Sequence, residues 1–378
     1  MSYLIDKYIT KRGVVGPWGI SSMPIKKFQY IVIIPAYAEL EYIGHTLDSL
    51  SKCELDSFDS VLVVVVVNNE TDAHFKILDN NQKTLSSLKN RKDLFSLVVI
   101  DASSDGMSIP ERRAGVGMAR RIGMDFALKF AYPHSLLFSL DADSLVAPTY
   151  FKEIQAHFNT TDSIAVVVGF SHSKNKNLHL EIAVRQYEVF LRNTAKNLAA
   201  AGSPFGYVSM GSTIICKSDA YASIGGMPRR KATEDFYFLQ EFAKFKRVDK
   251  IDSILVYPSS RESERVYLGT GFRISQANKG KNLGDLSYPI EAFNVLKGWL
   301  LIAMGGYKES IDEIMIKAEK LSLILYDYLM EENIKKIWDP LRESCPTEIH
   351  FQKQFHRWFD ALKTHRLLNK YLRISSIL

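Results

Sequence analysis

The run Leu136-Leu137-Phe138-Ser139-Leu140-Asp141-Ala142-Asp143 is apolar at nearly every position and ends in two carboxylates one residue apart. A strand buried on both faces has this character, as in a parallel sheet covered by helices. Four further runs share it, at residues 30–34, 61–67, 97–100 and 164–168. Between them, residues 39–51, 72–89, 111–129 and 148–158 carry apolar side chains at helical spacing. Strand–helix alternation of this kind predicts a doubly wound α/β domain with a mostly parallel sheet, flanked by helices. Ligands of such domains lie beyond the carboxyl ends of the strands.

The rhythm changes after residue 170. Residues 178–201 predict one long helix, closed by Gly202-Ser203-Pro204. A strand at 212–216, a turn at Gly225-Gly226, a helix at 233–245 and a strand at 254–257 follow. Residues 261–281 are rich in Arg, Ser and Gly and are expected to form a loop. From residue 288 every segment has helical spacing, with breaks near Gly305-Gly306, Pro340 and Pro346. These shifts divide the chain into a catalytic-type domain at 1–285 and a helical C-terminal region at 286–378.

The chain has 378 residues, 46% apolar and 24% charged, which is ordinary for globular domains and excludes disordered and collagen-like chains. The longest apolar runs, 61–67 and 299–304, fall far short of the ~18 residues needed to span a bilayer. The first twelve residues lack the apolar stretch of a secretory signal. Three cysteines are too few and too scattered for a disulfide framework or a cysteine–zinc site, so a cytoplasmic location is expected. The net charge is +6, and residues 349–378 hold six basic side chains against one acid. With the surplus confined to that tail, nucleic acid is not an expected partner.

Asp141 and Asp143 at a strand end carry the sharpest chemistry. Residues i and i+2 of an extended chain point to one side. Two like charges held close are costly unless a proton or cation relieves them, and Mg²⁺ or Mn²⁺ binds through such carboxylates plus substrate phosphates. The plain alternative is a pair of solvated loop acids. Thr233-Glu234-Asp235 opens a helix, where acids complement the dipole; a carboxylate there also suits a general base that deprotonates an acceptor hydroxyl. Arg261, Arg265 and Arg273 around Gly269-Thr270-Gly271 fit either a guanidinium clamp for a diphosphate or anionic acceptor, or a solvated loop. Arg112, Arg113, Arg120 and Arg121 either sit beside phosphates or form a polar helix face.

With these residues in place, the chain resembles the family 2 glycosyltransferases of the GT-A fold. Ile33-Ile34-Pro35-Ala36-Tyr37-Ala38-Glu39 is similar to their opening strand and loop, and Asn68-Asn69-Glu70-Thr71-Asp72 stands where their second strand ends. Asp141-Ala142-Asp143 matches the DxD motif, and Gly225-Gly226 with Thr233-Glu234-Asp235 matches the GG…ED pattern. The resemblance covers residues 28–260. It implies a GT-A-type, Rossmann-like fold and a UDP- or GDP-sugar donor over the carboxyl edge of the sheet. By the same resemblance Pro35, Tyr37, Glu39, Asn68 and Asn69 line the nucleoside side, with Arg120, Arg261 and Arg265 toward the phosphates. Asp141 would contact ribose or metal, Asp143 would bind Mg²⁺ or Mn²⁺, Asp235 would be the base of an inverting transfer, and Glu234 would orient the acceptor or the loop. Asn68-Asn69 replaces the usual acidic pair. A histidine after the ED helix and a QxxRW-like run are both missing, and the second absence points to a non-processive enzyme.

Two alternatives stand beside this expectation. A haloacid-dehalogenase-like phosphohydrolase also places DxD after an apolar strand, with the first Asp as nucleophile, but Leu145 stands where that pattern wants Thr or Val. A non-catalytic nucleotide-sugar or glycan-binding protein on the same fold is the other. Phe351, Phe355, Trp358, Phe359 and Leu362 share a helical face flanked by Lys353, Arg357 and Lys363. That face either packs on the catalytic domain or makes a peripheral membrane contact.

Overall fold

A computed structural model describes residues 3–263 and 269–375. They form two compact units. The first comprises the residues up to Val184 together with Ser209–Lys281; the second comprises Arg185–Val208 and the residues from Asn282 onward.

The first unit is built on a nine-stranded sheet. Its strands are β1 (Gly19–Ile20), β2 (Phe28–Ala36), β3 (Val61–Asn68), β4 (Ser96–Ala102), β5 (Ala131–Ser139), β6 (Leu145–Val146), β7 (Ala165–Phe170), β8 (Ile214–Lys217) and β9 (Asp249–Tyr257). They lie in the order β1-β4-β3-β2-β5-β8-β7-β9-β6. The core strands β4, β3, β2 and β5 are parallel, as are β7 and β9. The pairings of β8 and of the two-residue edges β1 and β6 are antiparallel. All eight residues of β3 are buried, which explains why its sequence shows no polar alternation.

The order reverses at β2: β3 and β4 step away on one side and β5 lies on the other. Open α/β sheets bind ligands at such a switch point. Ile33 pairs with Ser139, and the Leu140 N–H donates to the Ile33 carbonyl at 3.1 Å. Asp141 therefore leaves the sheet beside the end of β2.

Helices of this unit are α1 (Tyr3–Arg12), α2 (Ile43–Ser51), α3 (Phe75–Lys89), α4 (Val116–Ala127), α5 (Tyr150–Thr160), the first turns of α6 (Leu178–Ala200), α7 (Ser218–Ser223), α8 (Glu234–Phe245) and α9 (Thr270–Asn278). Val32, Ile34, Val63, Val65 and Phe138 pack with Leu47, Leu50, Phe151 and Ile154 of α2 and α5. Helix α4 is buried on every side from Gly117 to Ala127. It lies so close to the sheet that a Cβ on Gly123 would stand 2.6 Å from Ile33 Cγ2. Helix α9 corrects the expected loop at 261–281: Gly269, at φ +87°, starts it, and Ile274 and Ala277 are buried. Two apolar anchors among glycines and arginines leave little periodicity to read. Helix α1 was likewise not anticipated.

The second unit is helical, with α10 (Ile290–Gly305), α11 (Ile311–Leu321), α12 (Leu323–Glu331), α13 (Ile334–Glu343), α14 (Glu348–Trp358) and α15 (Ala361–Ser375). Its core is aromatic: the Trp299 ring lies 5.8 Å from Phe355, 6.0 Å from Phe359 and 6.4 Å from Trp338. Leu198 and Ala201 bury in the same core, which ties Arg185–Val208 to this unit. The face considered for a membrane is spent here. Phe351, Phe355 and Phe359 are fully buried, and Trp358 packs against the same cluster. Three of the basic side chains of the tail also meet acids, Lys363 and Arg366 at Glu332 and Lys370 at Glu331. The apolar surface that would enter a bilayer already has an occupant.

Candidate active site

Strand β5 delivers Asp141 and Asp143, and the start of α8 delivers Glu234 and Asp235. A single guanidinium joins the two motifs. Arg120, on α4 and 2% exposed, donates through Nη2 to Asp141 Oδ1 and through Nη1 to Glu234 Oε1. Such charge-assisted forks are among the stronger hydrogen bonds of a protein interior. Arg120 was expected among the phosphate contacts; it is instead buried and engaged within the chain. The second oxygen of Asp141 accepts from Ser212 Oγ, which also meets Ser144 Oγ at 3.2 Å. Gly211 beside it has no side chain because the Arg120 guanidinium fills the position of a Cβ.

The two acids of α8 differ in setting. Glu234 is buried and salt-bridged to Arg120. Burial pushes its carboxyl up to about 7, against the opposing pull of Arg120 and with help from the charge of Asp235. Asp235 is recessed but keeps some solvent exposure, and its Oδ1 accepts from the Phe236 N–H at 2.7 Å. Burial among neighbouring atoms raises its carboxyl as well. Thr233 precedes them at φ +64°, a left-handed conformation that costs a Thr on the order of 1–2 kcal/mol. Its hydroxyl makes no cap to the helix. Thr233 is thus a bend that aims the two acids.

Beyond β2 and β3 the expected nucleoside contacts divide. Pro35 is buried inside β2, opposite Val66. Tyr37 is half-buried and donates to Glu70 Oε1 at 2.9 Å. Asn68 and Asn69 are buried, at 4% and 1% exposure. Asn68 gives its amide hydrogens to the Ala36 and Val66 carbonyls, both at 3.1 Å. Two carbonyl partners fix the amide orientation and leave Oδ1 as the acceptor. Asn69 is held by Asn81, whose Nδ2 donates to Asn69 Oδ1 at 2.8 Å and whose Oδ1 accepts from the Ala38 N–H at 2.9 Å. Asn81 was missed in the sequence: a lone Asn in a polar helix gives no sign that it organises two loops. Ser212 gave none either, since its place depends on how β8 pairs with β5.

Arg261 spans two further acids. Its Nη2 donates to both oxygens of Glu39, at 2.5 and 2.7 Å, and its Nε lies 2.8 Å from Asp143 Oδ2. Its guanidinium stacks 4.3 Å from the Tyr42 ring centre, a cation–π contact. Glu39 thus holds an arginine that neighbours Asp143. Arg265 lies outside the described residues.

The donor set suits a hard divalent cation. Asp141 and Asp143 present oxygens, and no group of three or more His, Cys, Asp or Glu side chains able to hold a metal is found among the described residues. Mg²⁺ binds in this manner, through one or two carboxylates, with the rest of its shell drawn from water and substrate phosphates. The charge balance agrees: Glu39, Asp141, Asp143, Glu234 and Asp235 outnumber Arg120 and Arg261. A diphosphate approaching such an acidic cluster needs added positive charge.

Residues 28–245, more than half of the chain, match the glycosyltransferase-like family 2, and the protein belongs to that family. It is an enzyme of the glycosyltransferase class. No curated protein matches the chain. Similar solved structures include S. aureus TarS 1-349 in complex with UDP-GlcNAc, at 15% identity over 92% of each chain with a TM-score of 0.48. Another is the mannosyltransferase PcManGT from Pyrobaculum calidifontis in complex with GDP-Man and Mn²⁺, at 16% identity over 93% of this chain and 92% of that one, with a TM-score of 0.43. Family membership sets aside both the phosphohydrolase and the non-catalytic alternatives.

Proposed function

We propose that the protein moves a sugar from a nucleoside-diphosphate donor to an acceptor hydroxyl, with inversion, in single non-processive transfers, and with Mg²⁺ or Mn²⁺. The observation that carries this reading is the Arg120 bridge, which holds the DxD aspartate and the ED glutamate on one guanidinium. Two motifs separated by more than ninety residues are thereby joined through one side chain.

Asp143, with Asp141 beside it, would hold the cation, which when bound neutralises charge growing on the departing diphosphate. With the leaving group stabilised in that way, no protein acid is required at that end. Asp235 keeps access to solvent and takes the proton from the acceptor hydroxyl. Its raised carboxyl pKa brings its basicity nearer to neutral pH, which improves proton abstraction. Glu234 has its Oε1 bound by Arg120, so its part is to fix Arg120 and through it Asp141. Asn68 Oδ1 and Tyr37 are assigned to the nucleoside. An amide oxygen in place of a carboxylate accepts from a base N–H, such as that of uracil or guanine, without adding charge. Buried thiols at Cys53, Cys216 and Cys345 suit a reducing compartment, and we assign the enzyme to the cytoplasm.

A thermal-shift panel of UDP-, GDP- and dTDP-sugars, with and without Mn²⁺, tests the donor assignment. A ligand present at a hundred times its Kd stabilises the fold by ~2.7 kcal/mol. One nucleotide class should raise the midpoint, and only with metal present. A panel without any shift would remove the donor assignment.

A further inference from the structure

Helix α1 precedes the family-matched residues 28–245 and is built onto the turn that leads to the catalytic acids. The Tyr8 hydroxyl fills the position a Cβ would take on Gly226, which sits at φ +81°. Arg12 Nη1 lies 2.6 Å from where a Cβ on Gly225 would be. The two glycines of the GG…ED pattern thus admit two side chains of α1.

Beneath this contact lies a buried polar cluster centred on Asp125 of α4. Tyr8 Oη and Tyr221 Oη donate to Asp125 Oδ1 at 2.8 and 2.7 Å, and the Val14 N–H donates to Oδ2 at 2.9 Å. Arg121 donates to the Met227 carbonyl at 2.8 Å and to the Arg12 carbonyl at 3.0 Å, so one guanidinium holds the end of α1 and the residue after the glycine pair. A ring series runs the same way. Tyr8 meets Tyr221 edge-on at 5.6 Å, and Tyr221 meets Phe238 of α8 at 5.9 Å. Arg120, next to Arg121 on α4, faces the active site. Energetic coupling between distant groups travels through such packed, hydrogen-bonded elements.

We propose that α1 is a brace that sets the geometry of Glu234 and Asp235, with Tyr8, Arg121 and Asp125 as positioning residues. They hold the segment from Gly225 to Thr233, and the left-handed Thr233 persists because both ends of that segment are pinned. Gly117 pins it from the other side, its N–H donating to the Arg230 carbonyl at 3.3 Å. The inference rests on the assignment of these two acids to the transfer step, and a measurement that needs no substrate separates the two.

Hydrogen exchange read by mass spectrometry on the full chain compares the wild type with Tyr8→Phe and Asp125→Asn. Tyr8→Phe keeps the ring and removes one donor, so the fold survives. Amides of residues 226–238 should exchange at least five-fold faster in both variants, with β2 and β5 unchanged. Turnover of UDP-GlcNAc and of GDP-mannose is followed in parallel. For whichever donor is used, kcat should fall five- to ten-fold with the donor KM unaltered. Exchange that is unchanged, or faster throughout the unit, overturns the brace. So does a local exchange change with kcat intact. If the wild type turns over neither donor, the donor assignment is what suffers, and the exchange pattern still decides for or against the brace.

Discussion

The duties proposed for Asp143 and Asp235 are separable, and their variants should separate too. Asp143→Ala removes the carboxylate assigned to the cation, and loss of an electrostatic contact of this kind costs ~10²–10³-fold in rate. Turnover should fall at least that far while circular dichroism and melting stay near wild type. Asp235→Asn keeps size and hydrogen bonding but not basicity. It should bind donor normally in calorimetry and fail to transfer; full turnover would take Asp235 out of the mechanism. Because burial raises Asp235 and pushes Glu234 up to about 7, the pair should lose its protons nearer neutrality than ordinary carboxylates do. Activity should therefore rise with pH through a limb displaced above the ordinary carboxylate range. Glu234→Gln, by removing a like charge beside Asp235, should move that limb to lower pH in a kcat profile. At this scale the sequence exposed the acids themselves, because a carboxylate pair after an apolar strand is visible locally. It did not expose what they touch: Ser212, Asn81 and the seat of Arg261 on Tyr42 depend on pairings between distant segments.

Helix α4 shows how an element transmits these constraints. One side of it lies on the sheet, Arg120 reaches the site, and Arg121 and Asp125 reach α1. A Cβ at Gly117 would stand 2.6 Å from the Pro228 carbonyl oxygen and 2.9 Å from Glu234 Cβ. Gly117→Ala should therefore displace the start of α8, cutting turnover at least ten-fold and costing ~1–3 kcal/mol of stability by overpacking. Urea unfolding beside donor turnover measures both; an unaffected enzyme would mean that α4 and α8 need not approach so closely. Long apolar runs made β2, β3 and β5 legible. Helix α4 was legible only as a helix, because its charged residues Arg120, Arg121 and Asp125 are buried and so do not mark a solvent-facing side. Helices α1 and α9 were missed for the opposite reason: each has just two or three buried anchors in a polar stretch.

Across the whole molecule, the two units should respond differently to acid. Burial pushes His356 and His365 of the helical unit down to about 4. A histidine kept neutral in the fold contributes stability above its ordinary value of about 6.5, and that contribution is lost as pH falls through the lowered one. The helical unit should therefore lose stability from pH 6.5 toward 4, and His356→Leu should flatten the decline in a series of melting curves. The basic, aromatic tail stayed open to two readings at this scale, since one sequence face serves equally for a bilayer or a core. The aromatic cluster around Trp299 and Trp338 took it. The central claim is that the acids at the switch point grip a donor diphosphate through a cation, and calorimetric titration of UDP-GlcNAc and GDP-mannose into the intact chain, with and without Mn²⁺, tests it most directly. One donor should bind in the presence of Mn²⁺, with affinity lost in Asp143→Ala. Binding of equal strength without metal, or unchanged by that substitution, would contradict it.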